Sequence, residues 1–404
     1  MSLRKYTSEN LHHKFKLESL PVSVGGLLLL IVSVSALSFS TPLSAGSRMQ
    51  NPDASAVIDL PVVRPDKTRS LYKTMKKLDN ARVVLVGETH TRYDHHLVQL
   101  EILKHLYQKS PNLALGVEWF QQPFQQYLDD YIAGDITEKE MLRLTEYFSR
   151  WRYNYRHYQP ILQFARENRI PVIALNASRE LIKMLADTEF DDLPDELKAQ
   201  LPGSYDWSDK AYEKRIRDVY ELHPEYNGEF ENFLRSQLTW DESMAERAAQ
   251  YLQENPDARM LVLAGSGHIM FGSGIPNRIQ RRIDALQYSV LVSDDHLPVS
   301  EDIADFLVMS VEQSLQPTGL IGAILDTDGG ILTIQGFSSN SAVKDAGLEK
   351  GAVIIGVNDD AVESFSDFKL AIMDKLRGDS IELHYLENAD ADECDRKSVS
   401  IKLR

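Results

Sequence analysis

The chain has a single cysteine, Cys394, among its 404 residues. One cysteine cannot form an intramolecular disulfide or a zinc-finger ligand set, and its place near the end of the chain argues against a cysteine nucleophile. Basic residues are also few, since 44 Lys and Arg stand against 60 Asp and Glu, for a net charge of -16. Because there is no basic stripe to neutralise phosphates, the composition argues against a nucleic-acid partner.

Solenoid-type repeats and low-complexity tracts are absent as well, and the 43% of hydrophobic residues can supply the cores of two or three domains. A long apolar run, 22–39, follows several basic residues and precedes small residues up to Ala45. This order is typical of a secretory signal, either cleaved after Ala45 or kept as an inner-membrane anchor. We expect an exported protein of the periplasm or cell envelope, with 1–45 as signal or anchor and 46–69 as a polar lead-in.

Residues 70–313 show apolar runs that alternate with helical patterns. This alternation predicts an α/β domain with a mostly parallel sheet flanked by helices. A further short run, 305–311, is expected to close the domain. The predicted strands are 82–86, 113–117, 171–175, 260–264 and 288–292, and the predicted long helices are 121–132, 137–147, 158–167 and 229–255.

Ionisable residues follow the first predicted strand directly. Gly87 is expected to turn the chain sharply, which would leave Glu88 and His90 at the carboxyl end of the strand, where open α/β sheets bind ligands. A helix capped by Asp94 should then place His96 on its inward face. Alternatively, Glu88 caps the helix and the histidines are ordinary surface or core residues.

Other strand ends carry similar groups. Glu118 follows the second strand, and His268 follows Gly265 at the spacing that separates His90 from Gly87. Histidine can bind a metal or transfer a proton at neutral pH, so one shared crevice is expected. Arg278 lies in the next glycine-rich loop, where it could pair with a ligand carboxylate or simply be solvated.

Residues 147–160 interleave aromatic side chains with arginines. Flat aromatic rings beside cations suit a planar anionic ligand such as a porphyrin, and a tyrosinate can ligate ferric haem. The stretch contains Tyr153, Tyr155 and Tyr158. Such stretches also bind single-stranded nucleic acid, but the acidic chain and the export signal weigh against that. A helix that packs its aromatic residues into the core is the remaining alternative.

These motifs together resemble the ChaN-like haem-binding proteins of the Tiki/TraB/erythromycin-esterase superfamily. The motifs are Gly87-Glu88-Thr89-His90 with His95 and His96, Gly116-Val117-Glu118, Tyr158-Gln159-Pro160, Ala174-Leu175-Asn176, Asp241 with Met244-Ala245, and Gly265-Ser266-Gly267-His268. The resemblance implies haem uptake or handling, with haem bound as a cofacial pair at a homodimer contact and a tyrosine on the iron. Tyr158 matches the family's Tyr-x-Pro position, with Tyr153 and Tyr155 as alternatives. The implied haem-binding residues are Tyr158, Tyr153, Tyr155, His90, His96, Glu88, His268 and Arg278.

The wider superfamily also contains metal-dependent hydrolases and proteases. In that alternative, four residues would hold Mn, Co or Zn and activate water. They are Glu88, His90, Glu118 and His268.

The last part of the chain contains a series of short motifs, which are Leu320-Ile321-Gly322-Ala323, Ser341-Ala342 with Ala346-Gly347-Leu348, the run 351–357 and a helical pattern around 366–375. With these motifs, residues 314–404 resemble a bacterial PDZ domain, a small β-sandwich-like fold. The resemblance implies that the loop Leu320, Ile321, Gly322 and Ala323 surrounds the terminal carboxylate of a protein or peptide, which then adds a strand to the sheet edge. A domain that only packs on its neighbour or dimerises is the alternative.

Overall fold

A computed structural model of the chain describes residues 68–223, 228–293, 300–327, 331–387 and 395–404. The expected export segment, 1–45, and nearly all of the lead-in, 46–69, lie outside these ranges. No helix within them is both long and apolar enough to cross a membrane.

A six-stranded parallel sheet forms the first part of the described chain. Its strands are β1 (Val83–Glu88), β2 (Leu113–Gln121), β3 (Val172–Asn176), β4 (Arg259–Gly265), β5 (Gln287–Ser293) and β6 (Phe306–Met309). They lie in the order β3-β2-β4-β1-β5-β6, and every neighbouring pair is parallel. The predicted α/β class is therefore confirmed.

Helices connect and flank these strands, and the longest, α10, covers the sheet. In the described chain they are α1 (Leu71–Leu78), α2 (Tyr93–Lys109), α3 (Gln125–Ala133), α4 (Glu138–Leu144), α5 (Tyr147–Arg150), α6 (Gln159–Glu167), α7 (Arg179–Leu185), α8 (Asp195–Lys198), α9 (Lys210–Glu221), α10 (Phe230–Glu254) and α11 (Ile275–Arg282). Short 3-10 helices span Gln122–Phe124, Tyr155–His157, Phe190–Asp192, Ser266–His268 and Met270–Gly272.

The core of this part lies between the sheet and α10. Every residue of β1 is buried, as expected for a parallel strand covered on both faces. Ala245 and Ala248 of α10 are fully buried in the same core, where α10 contacts β3 and β4, and their small side chains let the helix approach the strands closely. Each large apolar side chain buried here, such as Leu85, stabilises the fold by about 1.5–3 kcal/mol.

Three local predictions are corrected. Gly87 lies inside β1 and does not turn the chain. Glycine is needed there for close packing, because a Cβ would lie 2.4 Å from Leu291 Cδ2. The strand β2 continues to Gln121, so Glu118 lies within it, where the pairing with β3 shifts register. Finally, α2 starts at Tyr93 with Arg92 as N-cap, and Asp94 accepts hydrogen bonds from the Arg92 guanidinium at 2.9 and 3.0 Å.

A second, antiparallel sheet forms the last part of the described chain. Its strands are β7 (Ala323–Asp326), β8 (Leu332–Phe337), β9 (Val353–Val357), β10 (Asp360–Ala361), β11 (Ser380–Glu387) and β12 (Asp395–Lys402), with helices α12 (Ala342–Asp345) and α13 (Phe365–Ile372). The order is β12-β11-β9-β8-β7, and β10 pairs with β9. Buried residues including Ile334, Ile354 and Phe368 form a separate core, consistent with a small additional domain.

Polar contacts join the two parts at α4 and at the loop after α5. Two are ion pairs from α4 to the second sheet and α13, and two are hydrogen bonds from the loop to the connecting segment. They are Lys139 Nζ–Asp360 Oδ2 (3.2 Å), Arg143 Nε–Asp367 Oδ1 (3.3 Å), Asn154 Nδ2–Thr318 Oγ1 (3.2 Å) and Arg156 Nη1–Gln316 O (2.9 Å).

Candidate functional site

The carboxyl ends of β1, β2 and β4 lie side by side and bring the predicted acids and histidines together. Glu88 ends β1 directly opposite Gly265 of β4, and Glu118 lies on β2, on the other side of β4. His268 follows β4 in a short 3-10 helix. All these side chains are buried, so the parallel topology, and not one sequence motif, builds the cluster.

Glu88 and His90 form one ion pair. The Oε1 atom of Glu88 lies 2.5 Å from Nδ1 of His90. Burial by itself would raise the pKa of Glu88, but His90 and His96 outweigh it and hold that pKa below its ordinary value. Burial likewise opposes charge on His90, yet Glu88 raises the pKa of His90 above the usual range. The pair therefore favours the charged form of each partner.

His268 belongs to a second ionised group. Its Nδ1 lies 2.6 Å from Oδ1 of Asp241, and its Nε2 lies 3.4 Å from Oε1 of Glu118. Despite burial, these two carboxylates raise the pKa of His268 well above its ordinary value. His268 in turn outweighs the effect of burial on Glu118 and lowers the pKa of that carboxyl to about 2. The hydroxyl of Tyr212 donates to Asp241 Oδ2 at 2.7 Å and fixes the carboxylate.

The two ionised groups converge at Gly265. Its backbone N–H donates to Glu118 Oε2 at 2.7 Å. A Cβ at this position would lie 2.9 Å from Cε1 of His90 and 3.6 Å from Glu118 Oε2. Glycine therefore allows the side chains of both His90 and Glu118 to lie close to the backbone at this position.

This arrangement can hold and transfer protons, because charged acids and imidazoles alternate within hydrogen-bonding range. Glu88 Oε2 is buried and has no hydrogen-bond partner within the described residues, although His96 Nε2 lies 3.8 Å away. In the described ranges, no group of three or more His, Cys, Asp or Glu side chains is arranged to hold a metal ion. Each carboxylate at the site instead faces an imidazole.

The other histidines of the first motif support the loop after β1. His96 lies on the inward face of α2, as predicted, with Nδ1 3.0 Å from Gln99 Oε1 and Nε2 3.2 Å from the carbonyl oxygen of His90. His95 accepts a hydrogen bond from the backbone N–H of Thr89 at 3.0 Å. Both side chains are buried and position His90.

The aromatic stretch folds over this cluster. The ring of Tyr153 lies 4.8 Å from His90 and the ring of Trp151 lies 4.9 Å from it, measured between centroids. Trp151 is buried, whereas Tyr153 is half-buried. Arg152 between them is exposed and has a positive φ of 70°, a conformation that concentrates at ligand sites.

The other two candidate tyrosines are interior residues. Tyr158 is fully buried, and its hydroxyl donates to the carbonyl oxygen of His90 at 3.4 Å. Tyr155 is buried and donates to Glu138 Oε1 at 2.8 Å. Burial raises the pKa of both phenols well above the ordinary value, so the tyrosinate form is disfavoured in this arrangement.

His157 has the properties of a neutral ligand. Burial, with His96 and Arg156 nearby, lowers its pKa to about 4, so the imidazole is uncharged at neutral pH. Its Nδ1 is buried without a hydrogen-bond partner in the described residues. A neutral imidazole, a half-buried phenol at Tyr153 and the Arg152 and Arg156 guanidiniums fit an iron-containing planar dianion such as haem.

Arg278 does not point towards a ligand space. It is fully buried, with its Nε 3.2 Å from Glu242 Oε1, and it donates to the carbonyl oxygens of Ser273 and Gly274. Its guanidinium also lies over the ring of Tyr212. Arg278 therefore fixes the loop after His268 from the inside.

The predicted peptide-binding residues lead into β7. Leu320 is exposed, Ile321 is buried and Ala323 begins the strand. Gly322 has a positive φ of 75°, and a Cβ there would meet Ser341 Cα at 2.5 Å, so the loop requires glycine. Leu320 exchanges two backbone hydrogen bonds with Arg404 at the chain end.

Two residues of the cluster had weak or no sequence signal. Asp241 stands in the middle of α10, and only its place in the family pattern pointed to it. Tyr212 lies on α9, separated from its partner Asp241 by 29 residues, and no local pattern distinguishes it.

The fold and the cluster define an α/β protein with ionised acid–histidine pairs at the strand ends. Residues 74–279 match the family described as haem-binding uptake, Tiki superfamily, ChaN. That match spans half of the chain, and the chain belongs to this family. It is therefore a haem-binding protein at the level of its family. No curated protein sequence matches it.

Solved structures that are similar to parts of the chain include ChaN of Campylobacter jejuni with cofacial haem. It is 19% identical, the match covers 60% of this chain and 92% of that chain, and the TM-score is 0.49. An erythromycin esterase mutant is 14% identical. The match covers 60% of this chain and 79% of that chain, with a TM-score of 0.35. The PDZ domain of a carboxy-terminal protease from Vibrio cholerae, in complex with peptide, is 21% identical. The match covers 22% of this chain and 95% of that chain, with a TM-score of 0.19.

Proposed function

We propose that the protein binds ferric haem at the carboxyl end of the parallel sheet, with Tyr153 as the iron ligand. Membership of the haem-binding family supports haem as the ligand. The observation that carries the choice of residue is the half-buried Tyr153 ring, whose centroid lies 4.8 Å from that of His90. Tyr158, the residue favoured by the Tyr-x-Pro motif, is fully buried and hydrogen-bonded, which makes it the second choice.

Bound haem would supply a ferric iron and two propionates. The phenol of Tyr153 must lose its proton to bind the iron, and exposed Arg152 and half-buried Arg156 are available to pair with the propionates. Trp151 excludes water from the His90 side of the pocket because it is buried against that ring. The acid–histidine pairs below would fix His90 and, through it, the face presented to haem.

The test is a haemin titration followed by absorbance. Wild type should develop an intense Soret peak and the charge-transfer band of a tyrosinate complex. Tyr153→Phe should lose both, while Tyr158→Phe, which removes a buried hydroxyl near the same site, should keep them. A tyrosinate spectrum that survives Tyr153→Phe and disappears in Tyr158→Phe would return the assignment to Tyr158.

A cofacial pair of haems at a homodimer contact is part of the same proposal. Light scattering should then report a monomer without haemin and a dimer with it, at one haem per chain. A monomer at full haem occupancy would contradict the paired arrangement.

We propose that the C-terminal domain is a PDZ domain that recruits a protein partner by its carboxyl terminus. In the described chain β7 pairs only with β8, so its other edge is available for a peptide strand. The backbone N–H groups of Ile321 and Gly322 have no hydrogen-bond partner among the described residues, and such groups can bind a carboxylate. Exposed Leu320 and Ile324 favour an apolar peptide end.

Paired peptides test this role in the full-length protein. Peptides with free apolar C-termini should bind with micromolar affinity, and C-terminal amidation should weaken binding strongly because it removes the carboxylate. Changing the peptide is cleaner than Gly322→Val, since a side chain at Gly322 would collide with Ser341. Equal binding of free and amidated peptides would make the domain structural.

We propose export to the periplasm or cell envelope, based on the basic and apolar N-terminal sequence. Mass spectrometry of the protein recovered from cell fractions tests it. An N-terminus at Gly46 in the periplasm would indicate cleavage after Ala45, and an intact N-terminus in the membrane would indicate an anchor. Intact protein in the cytoplasm would contradict export.

A metal-dependent hydrolase is the second candidate, favoured by the convergence of His90 and Glu118 at Gly265. Stoichiometric Mn, Co or Zn in protein purified without chelator, lost in His90→Ala, would support it. Metal-free protein that binds haem would rule against the hydrolase and leave haem binding as the remaining candidate function.

A further inference from the structure

A separate cavity of about 430 Å³ opens at the outer end of the parallel sheet, beside β3. It lies between the segment after β2, the loop after β3, residues 199–202 and α10. Gln122 holds these walls together, since its amide donates to the carbonyl oxygens of Leu175 and Ser243 at 2.8 and 3.2 Å. None of the haem-site residues named above lines it, so it is a different site with a volume typical of small-molecule pockets.

Arg247 of α10 places a cation in this cavity without a counter-ion. It makes no ion pair or hydrogen bond within the described residues, and its Nε is buried. The adjacent carboxylate, Glu246, is already committed to the backbone N–H of Gly203, at 3.0 and 3.1 Å, and to Arg282 at 3.2 Å. By contrast, Arg281 and Arg282 of the neighbouring helix both pair with Glu242.

A buried hydroxyl shares the same wall. Ser243 stands one helical turn before Arg247 and is only 4% exposed, yet its Oγ has no hydrogen-bond partner within the described chain. A buried polar atom without a partner destabilises the fold, and a ligand oxygen would supply the missing hydrogen bond. The remaining polar lining is uncharged and consists of Ser178, Gln200, Gln122 and Gln250.

The lining selects among anions. One unpaired guanidinium matches one carboxylate, which it can bind through two parallel hydrogen bonds. A phosphate dianion would need a second cation, and the cavity offers Glu246 instead. Hydroxyl and amide side chains around the cation suit a ligand that carries hydroxyl groups as well.

We propose that this cavity binds a small hydroxylated monocarboxylate, with its carboxylate on Arg247 and a ligand oxygen on Ser243. The site is independent of haem, because the two lie at different places along the strand ends. The protein would then bind two different ligands, haem at one site and an organic acid at the other.

Calorimetric titration of the full-length protein tests the proposal with sodium gluconate and sodium lactate as probes, at constant ionic strength set with sodium chloride. Gluconate should bind, and Arg247→Gln should weaken it by about tenfold or more because the bidentate pair is lost. Ser243→Ala should weaken it less, about threefold. Lys183→Gln removes an exposed positive charge from α7, outside the cavity, and should leave the affinity unchanged.

Several results would overturn it. They are no binding of either acid beyond the chloride control, equal binding by Arg247→Gln, equal binding of neutral sorbitol, or tighter binding of inorganic phosphate than of gluconate. Circular dichroism of each variant separates a lost site from a lost fold. Since haemin titration of the same samples reports the haem site independently, failure here is distinguishable from failure of the haem proposal.

Discussion

Individual side chains at the strand ends are ionised although they are buried. The pKa values of Glu88 and Glu118 are lowered because each carboxylate faces an imidazole, His90 at 2.5 Å and His268 at 3.4 Å. A buried ion pair stabilises the folded state little more than a well-packed apolar pair does, but removing one partner destabilises it because the other charge is left uncompensated. The pairs therefore constrain each residue at the site.

Glu118→Gln should destabilise the protein by about 1–3 kcal/mol, since His268 keeps its pair with Asp241 but loses its second carboxylate. The imidazole of His268 should also titrate at a lower pH in the variant. Urea unfolding and NMR titration measure the two effects. Glu101→Gln, which breaks an exposed pair with Lys104, should cost at most about 1 kcal/mol. Equal losses in both variants would contradict the role of burial.

His157 should make folding stability depend on pH in mildly acid solution. Its pKa falls from 6.5 to about 4 on folding, so the folded state resists protonation. Between pH 6.5 and about 4 the unfolded state binds a proton at His157 that the folded state does not bind. The free energy of unfolding is therefore fully retained above pH 6.5 and decreases as the pH falls from 6.5 towards 4. We expect wild type to lose about 1–3 kcal/mol over this interval and His157→Gln to lose less. If wild type and His157→Gln lost the same free energy of unfolding over this pH interval, the pKa shift of His157 would be contradicted.

At the scale of single elements, much of the parallel sheet follows from local sequence. The apolar runs predict β1 to β5 because a parallel strand covered on both faces needs uninterrupted apolar residues. The ends of β1 and β2 do not follow, because Glu88 and Glu118 look like strand-ending residues. Their burial depends on histidines that reach them from other segments, which no local pattern contains.

The same limit applies to the site. His90 and His268 were predicted from the repeated Gly-x-x-His spacing, but Asp241 completes the second pair from the middle of α10. The aromatic stretch shows that several tyrosines lie near each other but not which of them faces solvent. That distinction between Tyr153 and Tyr158 arises only from the packing of the loop over His90.

Gly265→Ala tests the junction of β4 with the site. A Cβ would press on His90 Cε1 at 2.9 Å, so we expect a loss of about 1–3 kcal/mol and weaker haem binding. Gly336→Ala in β8 is a matched control, because its Cβ would meet Ile324 at an ordinary 3.4 Å. Unfolding curves and haemin titrations of both variants measure the effects. Unchanged haem affinity in Gly265→Ala would show that His90 does not shape the pocket.

At the scale of the whole molecule, the two sheets have separate cores but share a polar junction. Asn154, next to Tyr153, donates to Thr318, which lies two residues before Leu320 at the start of the proposed carboxylate loop. Arg156 donates to the carbonyl oxygen of Gln316 in the same connecting segment. The proposed haem loop and peptide loop are therefore adjacent through hydrogen bonds.

We expect a saturating C-terminal peptide to change haem affinity by about threefold or more, because ordering one loop acts on the other through these bonds. Asn154→Ala should abolish the change, while Lys104→Ala, on the exposed face of α2, should preserve it. Haemin titrations with and without peptide give the ratio for each protein. A ratio of one in wild type would show that the two parts act independently.

Such coupling has a consequence for delivery, since an effect of peptide on haem requires an equal effect of haem on peptide. The partner would then bind the haem-loaded and the haem-free protein with different strengths, through a segment of only a few residues around Thr318. A receiving protein could thus recognise whether cargo is present without touching the iron, and it would dissociate or stay according to whether the haem had been handed over.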